Sequence, residues 1–458
     1  MRFMKELSAA TGRNIRTPFW ALFLAFVAAL VVLPVRAADV VSAGQDFVNL
    51  LVKGDFATAV TRYDDTMATA LPEPKLRAAW DTVESQAGDF QRQLRARTEK
   101  DREYDVVLVT CQFEKAVLDT KVVFDANGKV AGLFFLPATP PAEWFRPPPY
   151  ARTNSFRETS VHVGSGRWIL PGTLTKPSGS GPWPAVVLVH GSGALDRDET
   201  VSANKPFRDL AWGLATKGVA VLRYEKRTKE YAVAMAAMAS KIVLKDETID
   251  DAVNAVELLK KTEGIDPHRI FVLGHSLGGL AAPRIAERAP DVAGLIIMAG
   301  PTRPMDVVIM DQFRYFASLE GDNSREGQDK LADMEKQMSK VRNLTSADAS
   351  SSELIFGVAP VYWLDLRSYD QVATAKKLKQ PLLILQGGRD YQVSAADFDG
   401  WKKGLGARRG VTYKFYPDLN HLFITGNGKS RPAEYNRPGH VSETVVDDIA
   451  EWIGTIKN

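Results

Sequence analysis

The sequence predicts an α/β protein, a mostly parallel, doubly wound sheet preceded by a smaller α+β domain. Three observations carry this prediction. Six nearly continuous apolar runs alternate with helical segments over residues 185–456, and such runs suit strands covered on both faces, as in a parallel sheet. One run passes through Gly-His-Ser-Leu-Gly-Gly (274–279) directly into a helical segment, the pattern of a tight strand-to-helix turn. Ahead of both, PATPPAEWFRPPPYARTNS (137–155) holds six prolines, which cannot continue a helix or a central strand and so mark a boundary. The 458 residues, 45% apolar and 25% charged, suffice for two or more folded units.

The first 37 residues read as an export leader. Arg2, Lys5, Arg13 and Arg16 precede the apolar run PFWALFLAFVAALVVLPV, and Val35-Arg36-Ala37 then stands ahead of Ala38, so cleavage is expected after Ala37 and the mature protein is expected to be periplasmic or secreted. The alternative is an uncleaved anchor, because the run from Pro18 to Val35 is just long enough to span a bilayer. Residues 1–37 contain five Lys/Arg and one Glu, so without them the balance of 58 Lys/Arg against 55 Asp/Glu becomes 53 against 54, a formal −1. No basic face for nucleic acid follows, nor one for a membrane surface after cleavage. Cys111 is the single cysteine; it cannot close an internal disulfide and reads as a small core residue in VVLVTCQFEKAV.

Residues 39–138 read as α+β. Phe47, Leu50 and Leu51, then Phe56, Val60 and Tyr63, have helical spacing, and a polar helix is expected over Lys75–Arg97. Two alternating runs follow, 103–125 and 129–137, joined at the turn Asp125-Ala126-Asn127-Gly128. After the linker, 139–155, the runs SFRETSVHV and RWILPGTLTKP suggest an antiparallel hairpin on the edge of the main sheet, within a domain spanning 156–458. Strands are expected at 185–190, 219–225, 269–275, 293–300, 381–387 and 411–417, with helices around 204–217, 246–263, 277–289, 395–404 and 442–456. Between the fourth and fifth of these six strands lies an insertion, 301–379, too long for a plain crossover. Its helical segments and its aromatics Phe313, Tyr315, Phe316, Tyr362 and Trp363 predict a folded cap with most of those rings in its core.

The glycines of the 274–279 turn point to chemistry. They allow strand and helix to approach closely while Ser276 is held at the carboxyl end of a strand. A serine hydroxyl needs a base to take its proton and a carboxylate to orient that base. His421, in YPDLNHLF after the last strand, is the expected base, with His440 in RPGHVSET as runner-up. Asp390, in LQGGRDYQV at the end of a strand, is the expected acid, ahead of Asp306 and Asp418. The order Ser276, Asp390, His421 is the one expected when such a turn carries the nucleophile. Backbone N–H groups of Leu277 and of Ser192, with Gly193 close behind in VHGSGALDRDE, are the expected donors to a carbonyl oxygen that becomes negative during attack. The sequence has no HExxH or Cys/His cluster for zinc, no GxxxxGK[ST] for nucleotide phosphates and no dinucleotide fingerprint, so no metal or cofactor is expected. The charge run RYEKRTKEY (223–231) reads as a solvated loop beside the site.

VHGSGALDRDE, RYEKR, GHSLGG, LQGGRDYQV and DLNHLF resemble, in order and spacing, secreted bacterial α/β-hydrolase carboxylesterases that carry a small N-terminal domain of unknown function. Residues 39–138 are similar in pattern to NTF2-like domains. The resemblance implies an α/β-hydrolase fold, Ser276 as nucleophile, Asp390 as acid and His421 as base; Thr228, where such proteins often have glycine, departs from it. The expected function is hydrolysis of small to medium carboxylic esters through an acyl-enzyme, with a small-molecule ester as substrate. A thioesterase, acyltransferase or peptidase using the same residues is the enzymatic alternative, an inactive ligand-binding protein is the other, and assembly into a homo-oligomer stays open.

Overall fold

The computed structural model describes residues 37–101, 104–114, 116–138, 145–320, 325–351 and 353–456. The expected leader falls outside these except for its last residue, as does part of the proline-rich segment. Among the described residues no helix is long and apolar enough to cross a membrane. The chain forms two compact units, Met1–Thr139 and Pro140–Asn458.

In the first unit, helices Ala37–Val52, Phe56–Val60, Asp65–Ala70 and Glu73–Ala87 precede four strands, β1 (Phe90–Asp101), β2 (Tyr104–Phe113), β3 (Val117–Phe124) and β4 (Val130–Pro137). The strands form an antiparallel meander in chain order. The expected helix Lys75–Arg97 is corrected. It stops at Ala87, because Gly88 turns the chain at φ 78°, and Phe90 onward is strand. This polar stretch is stable as strand because its neighbours supply acceptors: Arg97 donates to Asp119 at 2.9 Å and Arg95 to Thr110 at 3.3 Å. The single run 103–125 is two strands, closed where Phe113 N–H donates to the Ala116 carbonyl at 2.8 Å. The expected turn at Asp125–Gly128 is present, with Gly128 at φ 72°. Phe47, Leu51, Trp80, Val107, Val109 and Cys111 are among the residues of a shared core.

The second unit holds β5 (Phe156–Val163), β6 (Leu170–Pro177), β7 (Trp183–Val189), β8 (Ala220–Tyr224), β9 (Ile265–His275), β10 (Gly294–Met298), β11 (Leu382–Gly387) and β12 (Val411–Tyr416). Their order is β12-β11-β10-β9-β7-β8-β6-β5. The first six in that order run parallel; β5 and β6 form the expected antiparallel edge hairpin. Burial on both faces is direct: Ala185, Val187 and Val189 of β7 enter one apolar layer, Val186 and Leu188 the other. Helices Pro206–Thr216, Asp250–Lys260, Leu277–Arg288, Ala395–Leu405 and Glu443–Thr455 cover the two faces. The second of these begins with a π-helical turn, Lys245–Ile249.

The insertion after β10 folds as helices Met305–Glu320, Arg325–Asn343, Pro360–Arg367 and Gln371–Lys377, around a small core of Met310, Met338, Val341, Ile355 and Trp363. Of the five aromatics expected inside it, only Trp363 is fully buried there. Tyr315 stacks on Tyr391 and Phe316 meets the same ring edge-on, because the cap lies against the loop after β11. Cys111 is fully buried, and burial pushes its thiol up to about 12. The native protein should therefore leave it unlabelled by an aromatic disulfide reagent, with one thiol appearing on denaturation; native labelling at the rate of a free cysteine would contradict this packing.

Candidate active site

β9 ends at His275 and the next helix begins at Leu277, leaving Ser276 alone on the turn at φ 54°, ψ −117°. A non-glycine residue there stores about 1–3 kcal/mol of strain, which persists only when its surroundings over-determine it. They do. Ser276 N–H donates to the Met298 carbonyl at 2.9 Å, and its own carbonyl accepts from Leu280. A Cβ on Gly274 would lie 2.1 Å from the Gly278 carbonyl oxygen, and one on Gly278 would lie 2.2 Å from that of Val189. The two glycines therefore exist so that helix and strands can pass at backbone contact, as the sequence suggested.

His421 sits on the loop after β12, buried, and its Nδ1 pairs with Asp390 Oδ2 at 2.7 Å. The rest of the Asp390 carboxylate is also saturated. Oδ1 accepts from the N–H groups of Gln392 (2.8 Å) and Val393 (2.9 Å), and Oδ2 accepts from Gln386 at 3.3 Å. A carboxylate held by this many donors is fixed in orientation, so it holds the His421 ring with Nε2 turned away from it. The runners-up lie elsewhere: His440 pairs with Asp209 at 3.2 Å, Asp306 with Arg342 of the cap at 2.8 Å, and Asp418 is exposed on a turn.

Ser192, Gly193 and Leu277 line a cavity of about 510 Å³. The Leu277 N–H belongs to a helix's first turn, which has no acceptor within the helix and carries the positive end of its dipole. The cavity is otherwise walled mainly by apolar side chains, among them Met235, Ile242, Met305, Phe313, Trp363 and Leu366, so the cap supplies much of it.

Sequence reasoning missed the charges beneath this loop. The first five residues of RYEKRTKEY are not solvated, with Arg223 and Lys226 each 2% exposed, while Lys229 and Glu230 are exposed as expected. Lys226 Nζ donates to the Gly191 carbonyl at 2.7 Å and pairs with Glu247 at 2.6 Å; Arg227 pairs with Asp251, and Arg223 with Asp198 and Glu158. Their acidic partners come from distant segments, so no local pattern could reveal them. Because C=O and N–H of one trans peptide point in opposite directions, the Lys226 contact on Gly191 C=O aims the Ser192 N–H the other way. Glu199 and His275 were missed for the same reason. Glu199, at φ 51°, accepts from Gly191 N–H at 2.6 Å and from His275 Nδ1 at 2.9 Å.

Sheet order, serine turn and paired His/Asp together define an α/β-hydrolase. Residues 182–427 match the family described as serine aminopeptidase, S33, and the chain belongs to it; the protein is a hydrolase. Residues 44–133 match a protein of unknown function, DUF3887. Esterase EstD of Thermotoga maritima is 38% identical over 407 residues, covering 89% of this chain and 93% of that protein. Dipeptidyl aminopeptidase BIII of Pseudoxanthomonas mexicana is 27% identical over 244 residues, 53% of this chain and 30% of its own. Among solved structures, a Pyrococcus furiosus esterase has a TM-score of 0.40 at 16% identity, covering 66% of this chain and 92% of that one.

The His421–Asp390 pair can be tested directly. Asp390→Asn keeps the loop's shape but favours the wrong His421 tautomer, and kcat should fall about 10⁴-fold with the circular dichroism spectrum unchanged. A loss smaller than tenfold would separate Asp390 from the chemistry.

Proposed function

We propose that the protein is an exported serine carboxylesterase acting through an acyl-enzyme, with Ser276, His421 and Asp390 as its catalytic residues. The observation that carries this reading is the buried His421–Asp390 pair on the loops that follow β11 and β12, at the same end of the sheet as the strained Ser276 turn. In this mechanism His421 Nε2 takes the Ser276 hydroxyl proton as Oγ attacks the ester carbonyl carbon. The oxygen that becomes negative is received by the N–H groups of Leu277 and Ser192, with Gly193 adjacent. Collapse expels the alcohol, protonated by His421, and leaves the acyl group on Ser276. Water then attacks that acyl carbon, His421 taking its proton and returning it to Ser276 as the carboxylic acid leaves.

The cavity supports this substrate class. Its mainly apolar walls suit an apolar acyl group of small to medium length. The esterase name of the Thermotoga relative supports an ester over an amide, and the cavity supports the same choice. Among the described residues that line it, the single carboxylate is Glu247, and its charge is matched by Lys226 while it accepts from the Tyr362 hydroxyl. No lone carboxylate is left there to receive the ammonium of a peptide N-terminus, which an aminopeptidase needs.

Ser276→Ala should lose on the order of 10⁶-fold in kcat on p-nitrophenyl butyrate, and retention of activity would end the serine mechanism. With the wild-type protein, each methylene added between acetate and hexanoate should gain about 0.8 kcal/mol of burial, a roughly fourfold rise in kcat/KM. A profile that falls from acetate onward would remove the apolar acyl site.

A further inference from the structure

Three chain segments must hold fixed relative positions for the chemistry above: the loop after β7 that presents Ser192, the end of β9 that presents Ser276, and the loop after β12 that presents His421. One buried side-chain pair touches all three. Glu199 Oε1 accepts from Gly191 N–H at 2.6 Å, next to Ser192 in the chain. Glu199 Oε2 accepts from His275 Nδ1 at 2.9 Å, next to Ser276. His275 Nε2 in turn meets the carbonyl oxygen of His421 at 2.9 Å, and the two imidazoles lie 4.6 Å apart, centre to centre. Glu199 is 1% exposed and His275 5%.

We propose that Glu199, acting through His275, is a positioning clamp that fixes the oxyanion donor, the nucleophile and the base relative to one another. The hydrogen-bond roles follow from the partners. A carbonyl oxygen only accepts, so His275 Nε2 carries a proton; a carboxylate that already accepts from Gly191 calls for a proton on Nδ1 as well. Burial alone would lower the imidazole, but the facing Glu199 carboxylate reverses this and holds it above its ordinary value. For Glu199, burial would raise the carboxyl, and the His275 charge and hydrogen bond hold it below the usual range instead. A matched pair presents no net charge to His421. The His275–Asp390 attraction is secondary, and the His190 ring on the other side is neutral, since burial pushes it down to about 4.

This inference rests on Ser276 and His421 acting as proposed, and its test separates reach from charge. Glu199→Gln keeps the length: its carbonyl oxygen can accept from Gly191 and its amide can donate to a neutral His275, whose Nε2–H still reaches His421. Glu199→Asp keeps the charge, and so the partner of His275, but is one methylene too short to bridge both groups. On p-nitrophenyl butyrate, Glu199→Gln should retain kcat within about threefold, while Glu199→Asp should lose about 100-fold, the scale of a displaced oxyanion donor, with KM within about twofold in both. Glu199→Asp matching the wild type, or Glu199→Gln falling as far as Glu199→Asp, would overturn the clamp. An active Ser276→Ala variant would remove the nucleophile and this inference with it; an inert Ser276→Ala beside an unaffected Glu199→Asp would overturn the clamp alone.

Discussion

The contact between the Gly278 Cα and the Val189 carbonyl, 2.2 Å from where a side chain would begin, sets the rest of the second unit. It brings the helix that starts at Leu277 down onto the ends of β7 and β9. Ser276, on the turn between β9 and that helix, is in left-handed backbone at φ 54°. The same approach places the helix's first N–H groups beside the loop after β7. The Ser276 turn and the placement of the N–H groups proposed to receive the oxyanion are thus two results of one steric condition, namely that positions 274 and 278 have no side chain.

A second layer of constraint is electrostatic. Gly191 is held on both sides by buried charge, its N–H by Glu199 and its C=O by Lys226. Removing one member of a buried pair typically costs about 3–5 kcal/mol, more than the strain of about 1–3 kcal/mol at a single left-handed residue. Strained backbone lies beside this frame: Glu199 and Ser202 in the loop after β7, Ser276 after β9 and Phe423 after β12 all have positive φ.

Much of the second unit was legible in the sequence because its signals are local. The β strands declare themselves through apolar runs buried on both faces, the turn through its glycines, and Asp390 and His421 through their places just after strand ends. What the sequence hid depends on partners far along the chain. Glu247, Asp251, Asp198 and Glu158 convert RYEKR (223–227) from an apparent surface run into a buried frame, and Glu199 meets a histidine 76 positions away. In the first unit, Phe90–Arg97 read as helix because its polar side chains lacked an apolar alternation, and it became strand because Thr110 and Asp119 across the sheet accept from Arg95 and Arg97. The cap aromatics were foreseen as residues but not as cavity wall, since which face of the cap meets the cavity is set by tertiary packing.

The proposed mechanism requires Ser276 to become covalently acylated. A fluorophosphonate mimics the tetrahedral stage and needs both an activated hydroxyl and oxyanion donors, so the adducted protein can be digested and the modified residue located by tandem mass spectrometry. One adduct per chain, on Ser276 in the peptide containing FVLGHSLGG, is the result expected. An adduct on another residue, or an intact unlabelled Ser276 in protein that still hydrolyses p-nitrophenyl butyrate, would contradict it.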